Sequence, residues 1–261
     1  MEDKILEGKV ALVTGSGAGN GRGSALKLAS MGAKIVVNDI RAERAEETAG
    51  LVRDMGVEAL VTSGDATNPD DVARIVNEAE KAFGKVDILV NNVGFFGAVK
   101  FVEQTYEEWK KDLSINLDAM FLYSKAVLPG MVERKSGKII NISSDAGKTG
   151  YPELVSYSAG KHGVIGFTRA LAAEVAKDGI NVNAVCPGYI QTDMHQNFLE
   201  GWAKATGKTF DEIEVEALSS IPLGSFGKPE YVGNVVGFLA SPYTDWMTGQ
   251  ALNISGGLET H

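Results

Sequence analysis

Short apolar runs rich in β-branched residues recur along the chain: VALVT (10–14), KIVVN (34–38), ALVTSGD (59–65), DILVNN (87–92), KIINIS (138–143), INVNAV (180–185) and ALNIS (251–255). Several are apolar at consecutive positions, which suits strands covered on both faces by helices. The segments between them are long enough for crossover helices. The pattern predicts an α/β fold with one doubly wound parallel sheet of seven strands and helices on both faces. No low-complexity stretch divides the chain, so residues 1–261 read as a single domain. Polar and aromatic sequence from about 191 to 223 interrupts the alternation before the last strand, and an insertion of that length reads as a lid over a site. Within it Phe198, Trp202 and Ala205 recur at helical spacing, a stripe that suits docking on the core as well as touching a substrate.

Composition narrows the class. The start, MEDKILEGK, is too charged for a signal peptide, and no apolar run reaches membrane-spanning length, so a cytoplasmic protein is expected. Cys186 is the only cysteine, and His162, His195 and His261 lack metal-ligand spacing, so neither an internal disulfide nor a bound metal is expected. The net charge of -9 is spread over many Glu/Lys pairs, which argues against nucleic acid and acidic carriers as partners.

Directly after the first strand comes Thr14-Gly15-Ser16-Gly17-Ala18-Gly19-Asn20-Gly21, followed by a helix-compatible stretch from Arg22 to Met31. Glycines let main-chain N–H groups approach a pyrophosphate, and the following helix offers its positive end. Asp39 closes the second strand 18 residues beyond Gly21, where a carboxylate binds adenosine ribose hydroxyls and repels a 2′-phosphate. That favours NAD(H) over NADP(H), with Arg41 and Arg44 close enough to soften the repulsion. Ile40 follows Asp39 at the same place.

These residues resemble the short-chain dehydrogenase/reductase family, in its branch of roughly 250 residues with a Rossmann-like fold, and the resemblance runs nearly the whole length. TGSGAGNG matches its TGxxxGxG loop, with Gly15, Gly19, Asn20 and Gly21 at the cofactor; Asn20 stands where Ile is usual, and Gly23 is a poor helix former near the helix start. Asp65, with Ala66 after it, stands where the family has an aspartate beside the adenine. Asn91-Asn92-Val93-Gly94 matches NNAG with a branched side chain in place of Ala, placing Asn92 and Gly94 against the cofactor. Asn116 matches the helix asparagine of the catalytic tetrad, Ser144 (thirteen residues before Tyr157) its serine, and Tyr157 and Lys161 its YxxxK pair; Ser143 is the neighbour to exclude. Pro187, Gly188, Ile190 and Thr192 resemble the PGxIxT stretch at the nicotinamide end. Ala18 occupies a position that is often basic in members using NADP, which again supports NAD. The resemblance implies that Lys161 also holds the nicotinamide ribose, that Ser144 hydrogen-bonds the substrate oxygen, that Asn116 anchors a water in a proton relay, and that the chain forms a homotetramer.

The chemistry asks for such a set. Moving a hydride between a secondary alcohol and nicotinamide also means moving the hydroxyl proton, and Tyr157 is the candidate acid/base. A tyrosine titrating near 10 needs roughly 3 to 4 kcal/mol to act as a base near neutral pH. An ammonium 4 to 5 Å away at an effective dielectric near 20 contributes about as much before desolvation. A second Tyr-x-x-x-Lys, at Tyr106 and Lys110, has a structural explanation: Thr105-x-x-Glu108 is a capping box that starts a helix there. Phe96, Asp145, Tyr151, Tyr189, His195, Phe198 and Trp202 are the candidates for a substrate pocket. Their aromatic character suggests a small cyclic, polyol or sugar-like secondary alcohol or its ketone. The expected activity is therefore an NAD-dependent alcohol dehydrogenase/carbonyl reductase. Two alternatives are a 3-oxoacyl-carrier-protein reductase using NADPH, disfavoured by Glu133, Glu174 and Asp178 among the lysines a carrier would need, and a non-catalytic NAD(H)-binding sensor.

Overall fold

A computed structural model describes residues 4–261. Strands β1 (Val10–Val13), β2 (Lys34–Asp39), β3 (Ala59–Ser63), β4 (Ile88–Asn91), β5 (Gly137–Ile142), β6 (Ile180–Pro187) and β7 (Ala251–Ile254) form one seven-stranded sheet in the order β3-β2-β1-β4-β5-β6-β7. Every pairing is parallel. The chain leaves β3 at one edge and re-enters beside β1 as β4, so a crevice opens between the carboxyl ends of β1 and β4.

The helices are α1 (Gly19–Ser30), α2 (Ala42–Asp54), α3 (Pro69–Phe83), α4 (Tyr106–Leu113), α5 (Ala119–Arg134), α6 (Val155–Val175), α7 (Asp193–Thr206), α8 (Phe210–Ser219) and α9 (Pro229–Ala240). Val13, Ile35 and Val90 pack with Leu28 of α1, Ala45 of α2 and Val236 of α9. Their chain neighbours Leu12, Val36 and Leu89 pack on the other face with Ile75 of α3, Val127 of α5 and Ala172 of α6. Successive side chains of a strand point to opposite faces, so two helical layers demand unbroken apolar runs. Gly23, a weak helix former, has its reason here: a Cβ on it would lie 2.5 Å from the Pro229 carbonyl oxygen, and one on Gly233 would lie 2.4 Å from the Gly23 carbonyl. α1 and α9 cross too closely for any side chain.

Two departures from regular geometry bear on the site. Between α4 and α5 the backbone stays helical but widens into a π-turn at Ser114–Asp118, a form frequent at functional sites. Residues 193–219 fold as the pair α7 and α8, with Thr192 and Thr209 capping them. Leu199, Ala203, Ile213 and Ala217 make its small buried core. The buried stripe of α7 is thus Leu199 and Ala203, with Phe198 and Trp202 at its margin. Ala205, expected on that stripe, is exposed. Among the described residues no helix is long and apolar enough to cross a membrane.

Candidate active site

A cleft of about 950 Å³ follows the carboxyl ends of the central strands. Its nucleotide end begins at the glycine turn. Gly15 and Gly19 have φ of 58° and 52°, a region that disfavours any other residue. Ala18 precedes α1 without a side-chain cap, so the first N–H groups of the helix have no side-chain acceptor and can serve an anion. Asn92 fixes the turn from below, its Nδ2 donating to the Thr14 and Gly15 carbonyls at 3.0 Å each. Gly21 does not line the cleft. A Cβ there would lie 2.3 Å from the Gly15 carbonyl oxygen, so its role is to let the turn fold onto the helix. The Asn20 Oδ1 is buried without a hydrogen-bond partner at the cleft wall, an orphaned polar atom a bound cofactor would satisfy. Asp39 accepts from Gly17 N and Arg41 N, both at 3.0 Å. Ile40, Asp65, Ala66, Arg41 and Arg44 continue the wall. Open helix N–H groups, a glycine turn and an acidic ribose site together fit a dinucleotide.

At the far end, the loop after β5 delivers Ser144 and the first two turns of α6 deliver Tyr157 and Lys161. Lys161 is 3% exposed and donates from Nζ to the Ile142 carbonyl at 3.0 Å. Its Nζ stands 5.7 Å from the centre of the Tyr157 ring. Burial pulls the lysine down to about 8. Burial also pushes the Tyr157 phenol up, to about 12, against the Ser144 hydrogen bond that works to lower it, while the Asp145 carboxylate adds to the rise. The sequence expectation is that Lys161 brings Tyr157 down; in the free protein burial sets the opposite direction. Ser143 is spent on structure, donating to the Lys161 carbonyl at 2.9 Å. Asn116 sits on the π-turn, 2% exposed and behind the cleft wall. Its Nδ2 donates to the Phe95 carbonyl at 2.7 Å and to the Asp112 carbonyl at 2.9 Å, and its Oδ1 accepts from Phe95 N at 3.2 Å. Gly94 keeps Asn116 and Lys161 adjacent, since a Cβ would lie 3.1 Å from Lys161 Nζ and 3.3 Å from Asn116 Oδ1.

An aromatic wall faces Tyr157. Phe96 meets Tyr157 edge-on at 5.8 Å and Phe198 at 5.4 Å, and Tyr189 stacks on Phe198 at 6.0 Å. His195 packs 4.6 Å from Phe226 with its Nε2 buried and unpartnered, and burial holds it towards the neutral form. Asp145 and Tyr151 close the opposite side, and Pro187, Gly188, Ile190 and Thr192 complete the floor. Trp202 is absent from the lining: it packs behind Phe198 at 5.8 Å, within the α7–α8 core. Phe95, Leu154, Met194 and Asn197 line the cleft and were not singled out from sequence. Phe95 and Met194 adjoin named positions, whereas no spacing signal marks Leu154. Tyr106 is exposed on α4 behind the Thr105–Glu108 capping box, with Lys110 Nζ 4.6 Å from its ring.

A family model described as short chain dehydrogenase matches residues 9–202. A 3-oxoacyl-[acyl-carrier-protein] reductase of Synechocystis sp. is 38% identical across 97% of this chain and 98% of its own length. Among solved structures, a variant of actinorhodin polyketide ketoreductase with NADPH is 36% identical, with a TM-score of 0.95 over 99% of this chain and all of that one. Levodione reductase is 31% identical, with a TM-score of 0.91 over 96% of this chain and 97% of its own.

Proposed function

The chain belongs to the short-chain dehydrogenase family, and from that premise we propose that it is a ketoreductase, reducing the keto group of a 3-oxoacyl-type substrate to a secondary alcohol with NADH. The observation that carries the reading is the convergence of Tyr157, Ser144 and Lys161 on the end of one cleft whose other end is a dinucleotide cradle. The relatives' names support a 3-oxoacyl or polyketide ketone in place of the small secondary alcohol expected from sequence. The ring wall of Phe96, Tyr189 and Phe198 suits a substrate with a planar or cyclic portion. Glu133, Glu174 and Asp178 argue that the acyl group arrives free or on a small thiol and not on an acidic carrier protein.

Each residue then has a task. The bound nicotinamide supplies the hydride. Tyr157, held protonated by its surroundings, donates the proton to the carbonyl oxygen, and Ser144 hydrogen-bonds the same oxygen. Lys161 stabilises the phenolate left behind and holds the ribose. Asn116 keeps the Phe95 backbone and the lysine in register. Asp39 stands where a 2′-phosphate would meet a carboxylate, which is why the proposal names NADH although the actinorhodin relative carries NADPH.

The test measures nicotinamide oxidation with NADH and NADPH on a 3-oxoacyl-CoA, the same acyl group on a carrier protein, a cyclic diketone and simple cyclic ketones. Turnover confined to simple ketones would restore the small-alcohol reading. Cofactor binding without turnover on any carbonyl would leave a sensor. The expected homotetramer and cytoplasmic location belong to the same proposal, tested by light scattering and cell fractionation.

A further inference from the structure

The loop 144–151 has two sides. Ser144, Asp145, Ala146 and Tyr151 line the cleft, whereas Lys148 and Thr149 do not. Those two turn to the far end of the sheet: Lys148 Nζ donates to the Ala251 carbonyl of β7 at 2.8 Å, and Thr149 Oγ1 donates to the carboxylate of Glu259, in the segment after β7. Glu259 is only 6% exposed. Burying a carboxylate is unfavourable unless its oxygens are satisfied, and here both are. Oε2 takes the Thr149 hydroxyl, while Oε1 accepts from Thr260 N at 3.0 Å and His261 N at 3.3 Å, with His261 Nδ1 at 2.8 Å. The backbone of Glu259 is pinned as well, its carbonyl accepting from Ser255 Oγ and Asn253 Nδ2 at 3.1 Å each and its N–H donating to Ser255 Oγ at 3.0 Å. The same segment supports the cleft floor, since Gly188 N donates to the Ile254 carbonyl at 3.1 Å and a Cβ on Gly188 would lie 3.0 Å from the Ser255 Cβ.

We propose that Glu259 is a positioning residue for the substrate wall: through Thr149 it holds the loop 144–151 from behind and so fixes where the cleft-facing side chains of that loop meet the ketone. Among the described residues, Thr149 is the one residue outside 253–261 whose hydrogen bond reaches the Glu259 side chain. The buried acid therefore serves the loop and its own segment, and nothing else. The pull is passed on within the loop by two short links. Thr149 N donates to the Asp145 carbonyl at 2.9 Å, and the Tyr151 hydroxyl donates to the Asp145 carboxylate at 2.9 Å. A shift of Thr149 thus moves Asp145, and Tyr151 with it. Neither Thr149 nor Glu259 lines the cleft, and neither bonds the glycine turn or Asp39. Loosening the clasp should accordingly be felt by the ketone and not by the nucleotide.

The inference rests on the ketoreductase reading, and two kinds of readout separate them. Ketone reduction is measured for the wild type, Thr149→Val, Glu259→Ala, Glu259→Gln and the Thr149→Val/Glu259→Ala double variant, with NADH affinity from fluorescence quenching and a melting curve for each. Amide hydrogen exchange of residues 145–151 is followed on the same proteins without substrate. Thr149→Val and Glu259→Ala should each raise KM for the ketone by roughly tenfold, with kcat within about threefold and NADH affinity within about twofold. The double variant should lose no more than the worse single one, because both residues act through one contact. Glu259→Gln should stay within about twofold of the wild type, since an amide can still bond the Thr149 hydroxyl. Exchange in 145–151 should quicken in Thr149→Val and Glu259→Ala and not in Glu259→Gln. A lowered melting temperature with unchanged KM would show that Glu259 only staples its own segment, and additive losses in the double variant would show that the two residues act apart; either overturns the inference alone. Unchanged exchange in the loop overturns it whatever the protein reduces. Absence of wild-type turnover on every carbonyl overturns the ketoreductase reading, and with it the substrate-wall role, even where the exchange shows the loop released.

Discussion

Lys161 is a lysine placed where lysines seldom sit, and its energetics show what the site demands. Its ammonium donates to a main-chain carbonyl, and burial lowers it to about 8 from 10.5. Between those values the unfolded chain binds a proton that the folded protein does not, so stability rises with pH across that window, by roughly 3 kcal/mol in all. We expect the melting temperature of wild type minus that of Lys161→Met to increase between pH 8 and 10; a constant difference would show that the lysine is not desolvated as described. The same variant should melt higher than wild type at pH 7 and lose turnover. Tyr157→Phe should abolish turnover, by at least a thousandfold, while NADH binding changes less than threefold. Tyr106→Phe, at the surface of α4, should leave both unchanged. Comparable losses in the two phenylalanine variants would sink the assignment. The two Tyr-x-x-x-Lys sequences are alike in spacing, and their neighbours separate them: a capping box beside one, and beside the other a serine thirteen residues back and a glycine turn across the cleft.

At the scale of elements, a long-range ion pair ties α7 to α2. Arg44 of α2 reaches Asp193, the first residue of α7, at 3.2 Å, and both line the cleft. The arginine is one-third exposed and the aspartate three-quarters, so the pair contributes at most about 1 kcal/mol. Asp193→Asn should therefore weaken NADH binding two- to fivefold and leave kcat within twofold, with the effect shrinking at high salt. Loss of kcat with unchanged affinity would show that the pair acts on chemistry and not on cofactor binding. The strands were legible because a sheet covered on both faces favours apolar residues at consecutive positions, as Leu12 and Val13 or Val36 and Val37 show. The buried register of α7 was not, because aromatic side chains dominate a sequence pattern while Leu199 and Ala203 do the packing. The π-turn was equally hidden: Ser114–Asp118 has ordinary helix composition, and its widening is set by Asn116 gripping the Phe95 backbone.

For the whole molecule, the order β3-β2-β1-β4 places the glycine turn, Tyr157 and the aromatic wall at one rim, so most candidate residues could be assigned to a common cleft from their places at strand ends. What sequence missed is a matter of depth. Gly21, Asn116 and Trp202 stand one layer behind the surface they support, and motif spacing records position along the chain and not distance from a cavity. The proposed substrate differs from the sequence expectation for a related reason: aromatic side chains describe a wall, whereas the proposal for its occupant leans on whole-length similarity to ketoreductases. The cofactor choice is a property of the full nucleotide rim. Asp39→Ala should raise the ratio of kcat/KM for NADPH over NADH by at least tenfold, leaving Arg41 and Arg44 to meet the phosphate; an unchanged ratio would remove Asp39 as the selector. The π-turn has a consequence that no substitution reveals. From Tyr106 to Arg134 the chain is one helical rod containing a single surplus residue. Deleting one residue from 114–118 would restore an unbroken α-helix and turn α4 by about 100° about its axis, withdrawing Leu113 from Gly160 and Asp112 from Ser156. At this point the protein should tolerate exchanges of side chain at positions other than Asn116 and no change of length.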